Sequence, residues 1–442
     1  MSSTFHLSLH PFFSLPQEDE DIRVSKQKIA KLHNLSHYYD NSCTFPYHCL
    51  NTFEKISRLL GAPFFNILNS SFRLSKEWSP GRSYQHPSIA RELVKRTFET
   101  AKVLIQIPPA LLLSIPNIPL SLGLCCLNGS MTYLKGPSIP FPQFSGGIKV
   151  ITLNTALMPE YISTLNNMRP PYERAHEIAR RLLMLDADLI CLQEVFDHPS
   201  TEALSEELKS KYPFIIHSVA PRWLGLNSGL FIASKYEMID PTFWHFDTLS
   251  GGDLYANKGV LSVSLLVTGR KVIQVFNTHL QAQNGRWKER LVALEQIKSI
   301  VSKRMFENSH TIGSLVCGDF NVAPLTDEGD PDITWTHPWG LSIMTRFFQN
   351  FYIETKLRKP ENREDDINGT FWNMSPENSW GGKEWKASPL EGCTFDHILG
   401  RAPSGNHTLR GTVRISPIMG DASDHLLMGG TIFFPDKKKK QD

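Results

Sequence analysis

From about residue 147 onward the chain alternates two hydrophobic rhythms. Short apolar runs bounded by turn residues predict strands at Ile148–Asn154, Asp188–Gln193, Gly229–Ala233, Val260–Val267, Val272–Phe276 and Leu426–Phe434, with a further run from Ser314 that ends at Asp319. Between them apolar residues recur at helical spacing. Ala175, Ile178, Ala179, Leu182 and Leu183 do so within Tyr172–Leu185, and Leu291, Leu294, Ile297 and Ile300 within Arg286–Val301. Strands that alternate with amphipathic helices predict an α/β domain over residues 147–434. Pro331–Ser388 breaks the rhythm and is rich in Trp, Asn, Gly and Pro. Its Trp335, Trp339, Trp372, Trp380 and Trp385 suit either loops packed on the domain or contact with a bilayer interface. No internal repeat is evident.

Several of these strands end in groups that do not belong in a core. The run from Asp188 is apolar until Gln193 and Glu194, and the run from Ser314 delivers Asp319 and Asn321. Being two residues apart, those two side chains leave the same face of an extended chain. Val272–Phe276 leads into Asn277-Thr278-His279, and Ser423-Asp424-His425 opens the last strand. Charge is disfavoured beside buried strands, so four such strand ends together predict a reaction centre.

The residue types indicate which reaction. In-line cleavage of a phosphodiester needs a water to lose its proton, a divalent cation to neutralise phosphate charge, and donors for the departing oxygen. One or two carboxylates with amide oxygens suit Mg²⁺, with Mn²⁺ as the alternative. Zinc fits poorly, because none of the seven cysteines forms a C-x-x-C pair and no H-E-x-x-H occurs.

Asn154 in Thr152-Leu153-Asn154, Glu194 in Leu192-Gln193-Glu194, His279, Gly318-Asp319-Phe320-Asn321 and Ser423-Asp424-His425 stand in a telling order. Over residues 147–434 the chain resembles the endonuclease/exonuclease/phosphatase superfamily, the fold of DNase I. Finer runs resemble the neutral sphingomyelinases, most closely the membrane-anchored animal type: Leu192 to Asp197, Leu226-Asn227-Ser228-Gly229-Leu230, Thr278 to Ala282, and Asp253 to Gly259. Inositol-phosphate phosphatases are a poorer match, since Thr394-Phe395-Asp396-His397 lacks the Cys-Asp-Arg run expected there. The resemblance implies a four-layer α/β sandwich of two sheets with helices outside. It further implies that Glu194 binds Mg²⁺ with Asn154 beside it, and that His425, supported by Asp424, is the general base. Asp319 and Asn321 would orient water and phosphate, and His279 would stabilise the phosphoryl oxygens or protonate the leaving group. Asn227, Asp253 and Lys258 would lie at the substrate edge. An Asp-x4-Lys pair is on its own commonly a weak surface ion pair.

The first 146 residues differ in character. Residues 1–102 form an extension whose Arg73–Lys102 stretch holds seven Lys or Arg against three acids, a balance that suits anionic lipid. Residues 103–134 carry no charge and exceed the roughly 20 residues that span a bilayer. Pro108, Pro109, Pro116 and Pro119 interrupt them, which favours a re-entrant or in-plane membrane segment over a straight span; an apolar segment folded on the domain is the alternative. An apolar anchor before the catalytic domain is also what the resemblance implies. Cys125 and Cys126 are placed where S-acylation is chemically reasonable. A basic tail, 435–442, follows the domain.

Net charge is only +2, so no nucleic-acid partner is expected. An odd number of cysteines without paired spacing points to a reducing compartment. No secretory signal is seen at the start. The expectation is therefore a membrane-associated, Mg²⁺-dependent phosphodiesterase releasing phosphocholine from sphingomyelin or a related phospholipid, at a host membrane if the source is bacterial. A phosphodiesterase of the same fold acting on lysophospholipid, phosphoinositide or nucleic acid, and an inactive membrane-binding module, remain the alternatives.

Overall fold

The computed structural model describes residues 131–434 apart from 136–141, 167, 221–225, 269–270, 284–285, 323–394 and 404–408, together with helical positions scattered between 56 and 119. The Trp-rich stretch Pro331–Ser388, Cys125, Cys126, the basic tail and nearly all of residues 1–102 lie outside the described residues.

In chain order the elements are β1 (Thr132–Lys135), β2 (Gly147–Leu157), α1 (Glu160–Leu165), α2 (Pro171–Leu185), β3 (Leu189–Val195), α3 (His198–Leu208), β4 (Phe214–His217), β5 (Phe231–Ser234), β6 (Glu237–His245), β7 (Gly259–Thr268), β8 (Lys271–His279), α4 (Trp287–Glu307), β9 (Thr311–Asp319), β10 (Asp396–Arg401), β11 (Arg410–Ser416) and β12 (Leu427–Phe433). They build a seven-stranded sheet, β1-β4-β5-β3-β2-β12-β11, and a five-stranded sheet, β10-β9-β8-β7-β6. Among the described residues three apolar layers fill the space around the two sheets. One lies between the sheets, through Val150, Leu189, Cys191, Leu261, Val275, Leu315 and Met428. A second joins the first sheet to α2 and α3 through Leu153, Ile190, Leu192, Ile178, Leu182 and Leu204. The third joins the second sheet to α4 through Phe276, Val316, Leu294, Ile297 and Val301. Helix, sheet, sheet and helix are thus the four layers of an α/β sandwich.

The two sheets repeat one plan that sequence comparison does not reveal. Each has a central parallel pair, β2 with β3 and β8 with β9, joined by a crossover through α2 or α4. Outside each pair the neighbours are antiparallel, β5 and β12 in one sheet and β10 and β7 in the other. Only a short echo survives in sequence, Leu153-Asn154-Thr155 at the end of β2 and Phe276-Asn277-Thr278 at the end of β8.

The alternation of side chains across these strands places the polar groups. Odd-numbered positions of β3, β8 and β9 face the inter-sheet layer, since Leu189, Cys191, Ile273, Val275, Leu315 and Cys317 all belong to it. The same parity carries on to Gln193, Asn277, His279 and Asp319, so each strand is apolar toward its start and polar at its end. β2 does the same with even positions, Ile148 and Val150 leading to Thr152 and Asn154. One end of the sandwich is therefore a polar mouth.

Ahead of the domain, residues 104–113, 115–116 and 118–119 are helical, and Leu104, Ile105, Leu111, Leu112, Ile115 and Ile118 are exposed. Among the described residues no helix is long and apolar enough to cross a membrane.

Candidate active site

Asp319 is the centre of the mouth. Asn154 Nδ2 donates to its Oδ2 at 2.9 Å, and the same oxygen lies 3.6 Å from His279 Nε2 and 3.8 Å from His425 Nε2. Its Oδ1 accepts from the Asn321 amide at 2.8 Å. One carboxylate thus ties together residues from β2, β8, β9 and the turn before β12, across both sheets. Close packing of the parallel strands makes this possible. Gly318, φ +149°, lets β9 approach β8, where a Cβ would stand 1.9 Å from the Thr278 carbonyl oxygen.

Strand-end irregularities aim the remaining groups. Ala156, Glu194 and Asn321 all have positive φ, which re-aims side chains that regular strand geometry would turn away. The Asn154 Oδ1 accepts from Ala156 N at 3.0 Å and so holds the bulge in β2. Glu194, beside it, comes within 3.6 Å of His279 Nε2. Asn321 Nδ2 donates to the Leu280 carbonyl at 3.2 Å, fixing the turn after β9.

His425 is held by Asp396, not by its sequence neighbour. Its Nδ1 lies 2.7 Å from Asp396 Oδ2, on the first residue of β10. The supporting carboxylate expected at Asp424 is thus supplied by Asp396, whose signal was a buried acid opening a short strand. Asp424 is buried with Oδ1 lacking a hydrogen-bond partner, and it acts electrostatically on Glu194, His425 and Arg174. The Ser423 hydroxyl donates to the Asn154 carbonyl at 2.6 Å and accepts from His425 N at 3.1 Å, binding this turn to β2.

Lys258 departs from the expectation of a surface pair. It is 2% exposed, and its Nζ lies 2.8 Å from Asp253 Oδ2, 2.9 Å from the Leu280 carbonyl and 3.0 Å from His279 Nε2. Asp253 Oδ2 also accepts from Ala282 N at 2.8 Å. Asn227 lies on the adjoining loop, where its Oδ1 accepts from Gly229 N at 2.7 Å and its carbonyl accepts from Asn257 N at 3.2 Å. Lys258 therefore belongs to the centre itself, Asp253 anchors it, and Asn227 shapes the rim.

The charges are strongly perturbed. Burial, reinforced by Asp424, raises Glu194 to about 7, and burial raises Asp319 to about 6. His279 is pushed well below its ordinary value by burial and then by Lys258 and His425, so it is neutral and its Nε2 can accept from Lys258. Burial opposes the charged form of His425, but Asp396, Asp319 and Asp424 outweigh it and hold the imidazole up at about 10.

Among the described residues two groupings could hold a cation. Ligand atoms of Asp319, Asp396 and His425 fall within 4.8 Å of one another. The carboxylates around His425 hold its imidazole protonated in the metal-free protein, so a cation bound by this trio would have to displace that proton. Glu194 with Asn154, next to Asp319, offers hard oxygens, a carboxylate that is costly to ionise without a cation, and the unpartnered Oδ1 of nearby Asp424. That set fits Mg²⁺.

A sequence profile of the Endonuclease/Exonuclease/phosphatase family matches residues 152–425, more than half of the chain. An uncharacterized protein of Dictyostelium discoideum is 34% identical over 182 residues, 36% of this chain and 16% of that protein. Sphingomyelinase C of Leptospira interrogans is 27% identical over 224 residues, 44% of this chain and 40% of that protein. Sphingomyelin phosphodiesterase 5 of Mus musculus is 23% identical over 347 residues, 63% of this chain and 70% of that protein. The chain thus spans less than half the length of the first two. A solved structure of Sphingomyelinase C from Streptomyces griseocarneus aligns with TM-score 0.47 and 19% identity, over 64% of this chain and 99% of that one.

Proposed function

The chain belongs to the endonuclease/exonuclease/phosphatase family and is a hydrolase of that superfamily, and from this premise we propose that it is a Mg²⁺-dependent sphingomyelin phosphodiesterase that releases ceramide and phosphocholine at a membrane surface. The observation that carries the reading is the convergence on Asp319 Oδ2 of Asn154, His279 and His425. Sphingomyelinases among the relatives favour this substrate over other phosphodiesters.

The residues divide the work of an in-line displacement. Mg²⁺ bound at Glu194 and Asn154 would supply positive charge for the non-bridging phosphate oxygens. Asp319 and Asn321 orient the attacking water. His425 takes the water's proton as the new P–O bond forms, and Asp396 fixes its ring through Nδ1. In the metal-free protein His425 already holds a proton, so it serves as base only when the negative charge of the surrounding carboxylates is counterbalanced. Lys258, buried against His279 and paired with Asp253, stabilises developing oxyanion charge. The departing ceramide oxygen leaves with its bonding electrons and takes its proton from the Lys258 ammonium, which His279 Nε2 holds in place. Attack and departure thus have separate attendants, His425 with Asp396 for one and Lys258 with His279 for the other.

A membrane partner is supported by the exposure of Leu104, Ile105, Leu111, Leu112, Ile115 and Ile118 on helical positions, since exposed apolar residues in such number suit an interaction site. The basic Arg73–Lys102 stretch before it suits anionic headgroups.

A lipid panel tests the reading. Full-length protein is assayed for headgroup release from sphingomyelin, phosphatidylcholine and an inositol phosphosphingolipid in mixed micelles, with Mg²⁺ or chelator. Mg²⁺-dependent release of phosphocholine from sphingomyelin is expected to dominate. Preference for another lipid would replace the substrate and keep the chemistry, and cleavage unaffected by chelator would remove the metal.

A further inference from the structure

Arg174, the fourth residue of α2, is among the largest side chains that are completely buried, at 0% exposure. Its guanidinium ends in backbone carbonyls only. Nη1 donates to the oxygens of Thr155 at 3.1 Å and Ala422 at 2.9 Å, Nη2 to that of Ala156 at 2.6 Å, and Nε to that of Arg169 at 3.2 Å. Thr155 and Ala156 directly follow Asn154 in the β2 bulge, and Ala422 directly precedes Ser423-Asp424-His425. A single planar fork therefore joins the two chain segments that deliver Asn154 and His425, and its Ala422 contact lies 248 residues from Arg174 in sequence. Both segments are irregular at that point: Ala156, in the β2 bulge, has φ 48° and Ala422 ends a 3-10 turn. The second half repeats the device. Arg290, the fourth residue of α4 and also buried, donates through Nη1 to the carbonyls of Gln281 at 3.1 Å and Gln283 at 3.0 Å, in the loop just after His279.

We propose that Arg174 is a positioning residue for the hydrolytic reaction, which acts by fixing Asn154 and His425 relative to one another through the carbonyls of Thr155, Ala156 and Ala422. It touches none of the reacting groups. Its rigid fork satisfies four carbonyls at once, a task for which the flexible point charge of lysine is ill suited. Displacement of a reacting group by about 1 Å costs on the order of 10²-fold in rate, so loosening the fork is felt in turnover and not in substrate capture.

The inference rests on the phosphodiesterase reading of this site, and the test separates the two. In full-length protein Arg174→Lys is expected to lower kcat about 10²-fold with KM changed less than about twofold, at a temperature well below its unfolding transition. The metal-free protein supplies a readout independent of activity. The His425 Nδ1–H proton shared with Asp396 should give a strongly downfield proton resonance in wild type, and Arg174→Lys should shift or broaden it while His310, remote and exposed, stays unchanged. If Arg174→Lys does not fold, Arg174→Gln, which keeps two donors, takes its place. A variant with wild-type kcat and an unmoved resonance, and only a lowered Tm, would make Arg174 purely structural and overturn the proposal. A wild type inactive on every phosphodiester would sink the phosphodiesterase reading instead, and the resonance would still decide the role of Arg174.

Discussion

At the residue scale the strand-end polar groups were legible because a core has no use for them. Glu194, His279, Asp319 and His425 stood out against apolar runs, and the structure brings them to one mouth. Asp396 was hidden by its setting, since a single acid opening a strand after a long irregular stretch resembles an ordinary strand boundary. Lys258 was hidden differently: spacing shows that it can pair with Asp253, but only the fold shows that Lys258 is buried against His279. Both can be tested. Asp396→Asn keeps the size of the side chain and removes the charge that orients His425, so kcat should fall roughly 10²- to 10³-fold with little change in KM. Lys258→Ala should cost at least about 10²-fold in turnover, whereas an exposed ion pair would leave it near wild type. Steady-state kinetics on the cleaved lipid reads both.

At the scale of elements, apolar period fixed the main strands and both crossover helices to within a few residues. β6 escaped because Pro241 and a bulge near Asp240 break its alternation, features tolerated there because β6 is a sheet edge. The internal repeat escaped because it survives as topology and in two short strand ends. Within that repeat Asn154 and Asn277 occupy matching places and both reach across the sandwich, Asn154 to Asp319 and Asn277 to the Leu192 and Phe231 carbonyls at 2.9 and 3.0 Å. Asn277 also accepts from Gln193 Nε2 at 2.7 Å. Replacing it with Leu orphans buried groups of β3 and β5 in the facing sheet, so Asn277→Leu should lower stability by about 2 to 4 kcal/mol, measured by denaturant unfolding. Unchanged stability would mean that the two sheets are registered by apolar packing alone.

At the scale of the whole molecule the mouth concentrates charge that the fold alone does not balance. His425 is raised from 6.5 to about 10, so its contribution to stability is complete below its unfolded value and is lost as pH rises through the folded one. Glu194, raised from 4.5 to about 7, works in the same direction over its own window, because the folded state binds the proton more tightly than the unfolded chain. His279 has the opposite sign and matters as pH falls below its ordinary value. Chelated protein should therefore lose on the order of a few kcal/mol between about pH 7 and pH 10. Added Mg²⁺ should restore most at the alkaline end, where the carboxylates are ionised, and His425→Gln should flatten the decline; thermal unfolding across pH reads all three. The measurement that bears most directly on the central claim is phosphocholine release from sphingomyelin by the full-length protein in Mg²⁺, beside His425→Ala and Glu194→Gln. Release by wild type, lost in both variants while their fold is retained, is the predicted result. Release that persists in either variant, or a wild type silent toward sphingomyelin in anionic and neutral micelles alike, would contradict it.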